Sequence, residues 1–312
     1  MSKAVSATAY YCCGVRMLDA EMPQPVCADH YARRFMEADG LQKFAPFRRF
    51  VKPNASNLAR HKIIDELVGA RLAVDPTRLV VLVGAGFDSR AYRIPRGRWV
   101  ELDQPELIAR KNRCVPIAEC PGTLERIPIE FGVESLADKL APYAGARDVT
   151  VIVEGVLSYL DDATARATLA TLRAVFPGHT LLCDLMTKKF FHHYSRELHD
   201  QILALGASFR EMVDAPWRLI ESAGYRMVTS HSMLLRANAL GLIQTPRILL
   251  QTVLRTLRTG YRVYEFEALS AIRAADTPEI MAPATPDPAG PFAPQSSNPS
   301  IGDRGPGRAP RD

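Results

Sequence analysis

The sequence predicts an α/β domain in which helices cover both faces of a mostly parallel sheet. Continuous apolar runs occur at 79–83, 149–153 and 180–183, each too short for a helix and rich in aliphatic residues. Such runs are typical of strands that are buried on both faces. Helical patterns separate them, notably at 105–118 and 162–176. Strands that alternate with helices in this way indicate a doubly wound α/β domain.

Weaker strand patterns complete the predicted sheet. Segments 99–102 and 125–129 follow the first apolar run, and Pro128 lies in the second of them. Because proline has no N–H to donate to a strand ladder, we expect this strand at the sheet edge. Segments 225–234 and 261–269 alternate polar and apolar residues, which predicts a half-buried antiparallel pair near the end of the domain.

The helices and the composition suggest three regions along the chain. In segment 162–176 apolar residues fall on one helical face, and Asp161 or Asp162 is placed to cap its start. Before the first strand, helical patterns predict an N-terminal cap over residues 1–76. The α/β domain is predicted at 77–275. Residues 276–312 are rich in Pro, Gly, Ser and Ala and are predicted to be a disordered tail, because they offer little apolar surface to bury.

Composition excludes several classes of protein. The chain has 312 residues, 47% hydrophobic and 23% charged, with a net charge of +5, and its sequence pI is about 8.9. This balance favours anionic ligands, but no stripe of Lys and Arg with interleaved aromatic residues indicates nucleic acid. No window approaches the ~18 consecutive apolar residues of a membrane span, and the first 30 residues lack a signal-peptide pattern. We therefore expect a cytoplasmic protein with a small-molecule partner. The chain is compatible with a monomer or an oligomer.

The cysteines suggest reduced thiols rather than disulfides or a metal site. None of the six forms a CxxC pair, and a chain of this size does not need a disulfide framework. Cys13, Cys27 and His30 are residue types that could form part of a zinc site, but their spacing fits no standard zinc pattern. We predict no metal. The cysteines are Cys12, Cys13, Cys27, Cys114, Cys120 and Cys183.

The stretch "LVVLVGAGFDSRAYRI" places a glycine turn directly after the first buried strand. At Gly84 and Gly86 no Cβ blocks the main chain, so a ligand can approach it and bind its N–H groups. The dinucleotide-binding fingerprint G-x-G-x-x-G would require a third glycine, and Ser89 stands there instead. A nicotinamide-dependent oxidoreductase is therefore the alternative and not the first hypothesis.

Acidic residues follow three further strands. Asp103 ends the second strand, where an acid can bind ribose hydroxyls or, alternatively, cap the helix that starts at Pro105. Glu130 and Phe131 follow the third strand and are candidates for binding an adenine, or are a solvated edge. Glu154 follows three apolar residues, so it should be buried against a ligand or a partner cation.

Together these motifs resemble a known family. "ADHYARRF", "NLARHKIID", "VGAGFDSRAYR", "ELDQPELIARK" and "EGVLSYL", between Asp29 and Ser232, resemble the leucine carboxyl methyltransferase-like group. This group includes bacterial S-adenosylmethionine-dependent O-methyltransferases of polyketide and related secondary metabolism. Each motif alone is ordinary, but their order and spacing together are specific.

The resemblance implies a class I methyltransferase fold, Rossmann-like, with a seven-stranded sheet in which the last strand reverses and lies between its neighbours. It also implies S-adenosylmethionine as cofactor. Asp88, Ser89 and Arg90 match the Asp-Thr-Arg of the family with one change, while Glu130 and Phe131 stand where the family usually has Asp-Leu. By resemblance the cofactor-binding residues are Arg60 for the methionine carboxylate, Gly84 and Gly86 beneath it, Asp103 for the ribose, Glu130 and Phe131 for the adenine, and Glu154 for the amino-acid end.

We predict methyl transfer to oxygen, with a carboxylate of a small metabolite favoured over a hydroxyl. The acceptor pocket is expected between the N-terminal cap, the turn after Glu154 and segment 187–200. Tyr159, His192 and His193 are the catalytic candidates, and each is alternatively a packing or surface residue. The basic helical stretch 236–258 is a substrate cover, a dimer face or a surface helix. A further alternative is a protein that binds the cofactor without catalysing methyl transfer.

Overall fold

The computed structural model describes residues 8–246, 248 and 254–269. These residues belong to one compact unit, Met1–Ala275, and the second unit of the chain is Asp276–Asp312. The predicted tail at 276–312 lies outside the described residues. No helix of the described part is both long and apolar enough to pass through a membrane.

The sheet has seven strands in the order β3-β2-β1-β4-β5-β7-β6. Strands β1 to β5 are parallel, and β7 is antiparallel to both of its neighbours. This order confirms the predicted α/β class and the reversed strand between β5 and β6. The strands are β1 Leu79–Val83, β2 Arg98–Asp103, β3 Thr123–Pro128, β4 Thr150–Val153, β5 Thr180–Met186, β6 Tyr225–Ser232 and β7 Tyr261–Ala268.

The burial of each strand follows from its sequence. Every residue of β1 and β4 is buried, as their uninterrupted apolar runs predict. Val81 at the centre of β1 pairs with Val100 on one side and Val151 on the other. Pro128 ends β3 opposite Asp103, and β3 lies at the sheet edge as predicted.

Helices cover both faces of this sheet. Four of the described α-helices precede β1, including the 24-residue helix Val51–Val74. The helices are α1 Ala9–Ala20, α2 Ala32–Phe35, α3 Ala38–Phe44, α4 Val51–Val74, α5 Arg90–Arg93, α6 Pro105–Cys114, α7 Leu136–Leu140, α8 Asp162–Val175, α9 Lys188–Phe190, α10 Arg196–Ala204, α11 Trp217–Ser222, α12 Met233–Ala239 and α13 Arg255–Gly260.

Two apolar layers hold the helices to the sheet. Alternate residues of β1 contribute to each layer: Val80 and Leu82 pack with the N-terminal helices, while Val81 packs with α8. The carboxylate of Asp161 accepts a hydrogen bond from the N–H of Thr164 at 2.7 Å, so Asp161 is the N-cap of α8. The N-terminal helices and α8 therefore pack on opposite faces of the sheet.

The segments over the carboxyl ends of the strands are less regular. A single π-helical turn, Phe191–Ser195, joins α9 to α10. The basic stretch predicted as one helix over 236–258 contains the end of α12 and part of α13, with 247 and 249–253 outside the described residues. These segments enclose one side of the site.

Candidate functional site

A cavity of about 520 Å³ lies at the carboxyl ends of the parallel strands. This is the position at which open α/β sheets bind ligands, and the volume lies in the usual range for a small-molecule pocket. The glycine turn after β1 and the acids that end β2 and β4 line its polar side. Its apolar side includes Phe50, Tyr159, Phe190, Tyr194, Phe209 and Leu257.

The glycine turn is held by the second strand. Gly84 and Gly86 have φ of 76° and 52°, in the left-handed region that glycine adopts without a Cβ penalty. The N–H of Gly84 donates to the carbonyl of Leu102 at 2.9 Å, and the N–H of Gly86 donates to the Asp103 carboxylate at 2.7 Å. The main chain at Gly84, Ala85 and Gly86 is therefore fixed at the cavity wall, and its N–H groups donate within the protein and not, as predicted, to a ligand.

Asp103 ends β2, lines the cavity and accepts two backbone hydrogen bonds. Its Oδ1 accepts from the N–H of Gln104 at 2.7 Å, while its Oδ2 accepts from Gly86. Burial raises the pKa of Asp103, and these two hydrogen bonds act against that rise. Each carboxylate oxygen retains a further lone pair. The alternative interpretation as a helix cap is wrong, because Gln104 is the N-cap of α6 and no side chain caps that helix. The ribose assignment stays a prediction.

Arg60 connects the N-terminal helices to the strand ends. It lies on α4, is only 6% exposed and lines the cavity. Its Nε donates to Glu154 Oε1 at 3.0 Å, and its Nη1 donates to the hydroxyl of Tyr261 at 2.9 Å and lies 3.3 Å from Asp184 Oδ2. A buried guanidinium with two carboxylate partners is fully ionised and held in one orientation.

Glu154 is half-buried between two arginines. Arg60 pairs with its Oε1, and Nη1 of Arg90 lies 2.8 Å from its Oε2. Burial disfavours the charged form, but the neighbouring cations, Arg90 first, hold the pKa of Glu154 well below its usual range. The partner cation that the sequence required for this acid is therefore present, and Glu154 also lines the cavity.

Arg90 is the centre of a second buried charge cluster. Its side chain is fully buried and pairs with Asp88 and, through Nε at 2.6 Å, with Asp65. His61, Asp88 and Glu154 bring potential metal-ligand atoms within 4.8 Å of one another, yet Arg90 Nη1 contacts both of these acids. The guanidinium supplies the cation at this place.

His61 is the cavity histidine, and its ring is committed to the same cluster. Its Nδ1 lies 2.8 Å from Arg90 Nη2, and its Nε2 lies 2.7 Å from Arg93 Nη2. Burial, followed by the charge of Arg90, lowers the pKa of His61. A neutral ring flanked by two guanidinium groups is not available to take a proton from a ligand.

Two residues of the site were missed from the sequence, Asp184 on β5 and Tyr261 at the start of β7. Asp184 Oδ1 accepts from the N–H of Gly155 at 2.6 Å, and its Oδ2 accepts from the hydroxyl of Tyr261 at 2.8 Å. Both line the cavity. The one available signal for Asp184 is an acid that interrupts the apolar run of a central strand; the alternating pattern of 261–269 gave none for Tyr261.

The other predicted site residues lie in different surroundings. Tyr159 lines the cavity with its ring 5.0 Å from that of Phe209. His192 and His193 are exposed on the π-helical turn and do not line the cavity, and Nδ1 of His193 lies 2.7 Å from the carbonyl of Lys189. Glu130 is exposed and Phe131 packs on the apolar layer beneath β3, both outside the cavity lining.

The cysteines are free thiols, as predicted. All six lie in the described part of the chain, and none forms a disulfide. Two of the three residues considered for a zinc site have other contacts: Cys13 Sγ donates to the carbonyl of Ala32, and Cys27 Sγ donates to that of Leu58. Cys12 lines the cavity beside Arg60.

The strand order, the glycine turn and the acids at the strand ends define a class I methyltransferase. A protein of Streptomyces avermitilis described as DUF574 family has the same fold, with a TM-score of 0.54 over 82% of this chain and 97% of that one, at 13% identity. This likeness concerns the fold alone.

Residues 9–173, more than half of the chain, match the model of the family described as leucine carboxyl methyltransferase. The chain belongs to this family and is an S-adenosylmethionine-dependent methyltransferase. It is 29% identical over 226 residues to the tetracenomycin polyketide synthesis O-methyltransferase TcmP of Streptomyces glaucescens, across 70% of this chain and 79% of that protein.

A second relative is similar at the same level. A protein of Mycolicibacterium gilvum, provisionally named an S-adenosyl-L-methionine-dependent methyltransferase, is 29% identical over 205 residues. The match covers 59% of this chain and 67% of that protein. The resemblance inferred from the motifs is thereby confirmed at the level of the family.

Proposed function

We propose that this protein transfers the methyl group to a carboxylate oxygen of a small molecule. The observation that supports this proposal best is the state of the histidines. All seven lie in the described residues, and only His61 lines the cavity, with both ring nitrogens facing arginines. A carboxylate is ionised at neutral pH and needs no base, whereas a hydroxyl acceptor needs one.

The residues around the cavity fit S-adenosylmethionine. The turn at Gly84 and Gly86 offers main chain without side-chain obstruction, and Asp103 has free lone pairs beside it. Arg60 offers a cation for the carboxylate of the cofactor, and Glu154 offers an acid near the amino-acid end. When bound, the cofactor supplies an electrophilic methyl group on its sulfonium.

The contribution of the chain is to orient the reactants and to exclude water. Aromatic and aliphatic side chains from the N-terminal helices and from segment 187–209 form the apolar side of the cavity, including Phe50, Phe190 and Phe209. Loss of water strengthens the nucleophilicity of a carboxylate, and fixed orientation removes much of the entropic barrier. Burial raises the pKa of Tyr159, so its hydroxyl stays protonated and can donate a hydrogen bond to the acceptor.

The position of Lys52 favours an anionic methyl acceptor. It lines the cavity from the first turn of α4 and forms no ion pair with another described residue. Lys52, Ser56 and Arg60 are spaced four residues apart and all line the cavity, so they share one helix face. At ~1.5 Å per residue, Lys52 lies ~12 Å along the helix from Arg60. It is thus suited to attract an acidic acceptor from the side away from Arg60.

The name of the relative from S. glaucescens describes an O-methyltransferase of polyketide synthesis. This description supports a small-molecule acceptor for the present chain over a protein terminus. The cavity supports the same choice, because its walls are aromatic and enclose a volume of about 520 Å³.

The decisive experiment is methyl transfer from cofactor labelled in the methyl group to a panel of aryl, polyketide-like and acyl carboxylic acids. We expect a product that releases its label as methanol in mild alkali, since esters hydrolyse there and ethers do not. His192→Ala and His193→Ala should retain activity, because neither side chain lines the cavity.

Alkali-stable label combined with loss of activity in either histidine variant would instead establish a base-assisted hydroxyl methyltransferase. Calorimetry of the wild-type protein with S-adenosylmethionine and S-adenosylhomocysteine separates the remaining alternative. Binding of both without transfer to any acid or hydroxyl compound would indicate a cofactor-binding protein without turnover.

A further inference from the structure

Three side chains of the protein bind the guanidinium of Arg60 through its Nε and Nη1 atoms. Nε faces Glu154, and Nη1 faces both Asp184 and Tyr261. Among the described residues, Nη2 forms a hydrogen bond only with the Cys12 thiol, at 3.4 Å. A thiol is a weak acceptor. Nη2 is therefore the nitrogen of Arg60 that remains for a ligand carboxylate, and its direction depends on the groups that hold Nε and Nη1.

Tyr261 fixes that direction through a chain of hydrogen bonds. Its hydroxyl accepts from Arg60 Nη1 at 2.9 Å and donates to Asp184 Oδ2 at 2.8 Å. The other oxygen of Asp184 accepts from the N–H of Gly155 at 2.6 Å. Tyr261 and Asp184 thus join α4, the turn after β4, β5 and β7 at one point. The loss of solvation raises the pKa of Tyr261 well above its usual value, which keeps this donor protonated.

Close packing around the guanidinium of Arg60 restricts its orientation. Gly155 has φ of 67°, and a Cβ built there would lie 3.3 Å from Nη1 and from Nη2 of Arg60. The ring of Phe190 packs against that of Tyr261 with centroids 5.6 Å apart. Asp184 is 2% exposed. The guanidinium is therefore enclosed on the protein side, and a free rotation of its plane is blocked.

We propose that Tyr261 and Asp184 are positioning residues for the amino-acid end of the cofactor. They hold Arg60 so that Nη2 faces the cavity, and they do not themselves need to touch the adenosine half. This inference rests on the proposed role of Arg60. It gives β7 a part in cofactor binding that the sequence motifs do not include.

The test compares two ligands that differ in the amino-acid group. S-adenosylhomocysteine carries it, and 5′-methylthioadenosine lacks it, so both probe the adenosine site but only the first probes Arg60. By calorimetry, Tyr261→Phe is expected to weaken S-adenosylhomocysteine about tenfold and to leave 5′-methylthioadenosine within twofold. Asp184→Asn should act in the same direction. Tyr264→Phe is the matched control, because Tyr264 lies on the same strand and outside the cavity lining.

A double-mutant cycle with Arg60→Lys distinguishes positioning from general damage. In the Arg60→Lys background, Tyr261→Phe should cost less than in the wild type, since the group that it orients has been replaced. Equal losses for both ligands, or wild-type affinity of Tyr261→Phe for S-adenosylhomocysteine, would overturn the inference. Absence of S-adenosylhomocysteine binding by the wild-type protein would instead reject the proposed function.

Discussion

At the scale of single residues, several buried charges in the described part of the chain form ion pairs. Glu101 is fully buried and binds both Lys111, at 2.6 Å, and Arg126, at 3.0 Å. Asp29 is fully buried and accepts from Arg16 at 2.8 Å and from Ser89 at 2.6 Å. Removal of one partner from such a pair leaves an uncompensated charge, which costs more than the pair itself contributes.

The Asp29–Ser89 contact gives a reason for one motif residue. Ser89 is the residue that replaces both the third glycine of a dinucleotide fingerprint and the threonine of the family motif. Its hydroxyl is completely buried and donates to Asp29 of the preceding motif "ADHYARRF". The two motifs are therefore linked in space, and Ser89 has a structural role beneath the glycine turn.

His179 makes folding sensitive to acid. Its Nδ1 lies 2.8 Å from the carbonyl of Phe176, its Nε2 faces the Tyr225 hydroxyl, and burial lowers its pKa from 6.5 to about 4. The unfolded chain therefore binds a proton at higher pH than the folded one, so stability falls as the pH drops from about 6.5 to about 4. Urea unfolding of wild type and His179→Phe should show a difference that changes by about 2–3 kcal/mol across this window.

His30→Gln provides the control, because His30 is exposed. A pH dependence of unfolding that is the same in wild type and His179→Phe would show that protonation of His179 does not oppose folding. In His179→Phe the carbonyl of Phe176 keeps the backbone N–H of residue 179, at 3.2 Å, so the variant does not strand this acceptor.

Residues that follow a strand were predictable, and their partners were not. The glycine turn, Asp103 and Glu154 are visible in the sequence because parallel strands end at one edge of the sheet. Tyr261 could not be found, since its approach to Arg60 depends on where an antiparallel strand inserts. The exposed position of His193 depends on a π-helical turn that no periodicity predicts.

At the scale of elements, the periodic segments followed the sequence closely. The strand predicted at 79–83 has those boundaries in the structure, and the helix predicted over 105–118 starts at Pro105 but ends at Cys114. Short apolar runs and a proline at the first helical turn are local signals. The elements between β5 and β6 are three short helices and a π-helical turn. Their form depends on packing over the cavity and not on local propensity.

Two glycines in helices of the N-terminal region provide a matched prediction. A Cβ built at Gly14 of α1 would lie 2.2 Å from the ring of Phe44, which is fully buried, whereas a Cβ at Gly69 of α4 meets nothing within 4 Å. Gly14→Ala should therefore destabilise the protein by ~1–3 kcal/mol through overpacking. Gly69→Ala should stabilise it by ~0.5–1 kcal/mol, because alanine is the better helix former.

Urea unfolding of the two variants measures both effects. Because Ala9 and Cys12 of α1 line the cavity, Gly14→Ala is also expected to weaken S-adenosylhomocysteine binding, and Gly69→Ala is not. Equal stability of the two variants would mean that α1 can shift away from Phe44 without cost.

At the scale of the whole molecule, the compact unit Met1–Ala275 contains every residue that lines the cavity. The composition of 276–312 offers little apolar surface for a core. Truncation after Ala275 is therefore expected to leave the melting temperature and the affinity for S-adenosylhomocysteine unchanged. A fall of many degrees in differential scanning calorimetry, or a loss of affinity, would show that these residues contribute to the folded unit.

The insertion of β7 between β5 and β6 has a consequence for the order in which the protein is completed during synthesis. Ribosomes deliver the chain from its amino terminus, so β5 and β6 exist before the strand that joins them. Until β7 arrives, the edge of β5 is open along Thr180–Met186, where six of the seven residues are later buried. An open apolar edge promotes pairing with other chains. The nascent chain therefore depends on β7 both to close this edge and to bring Tyr261 to Arg60.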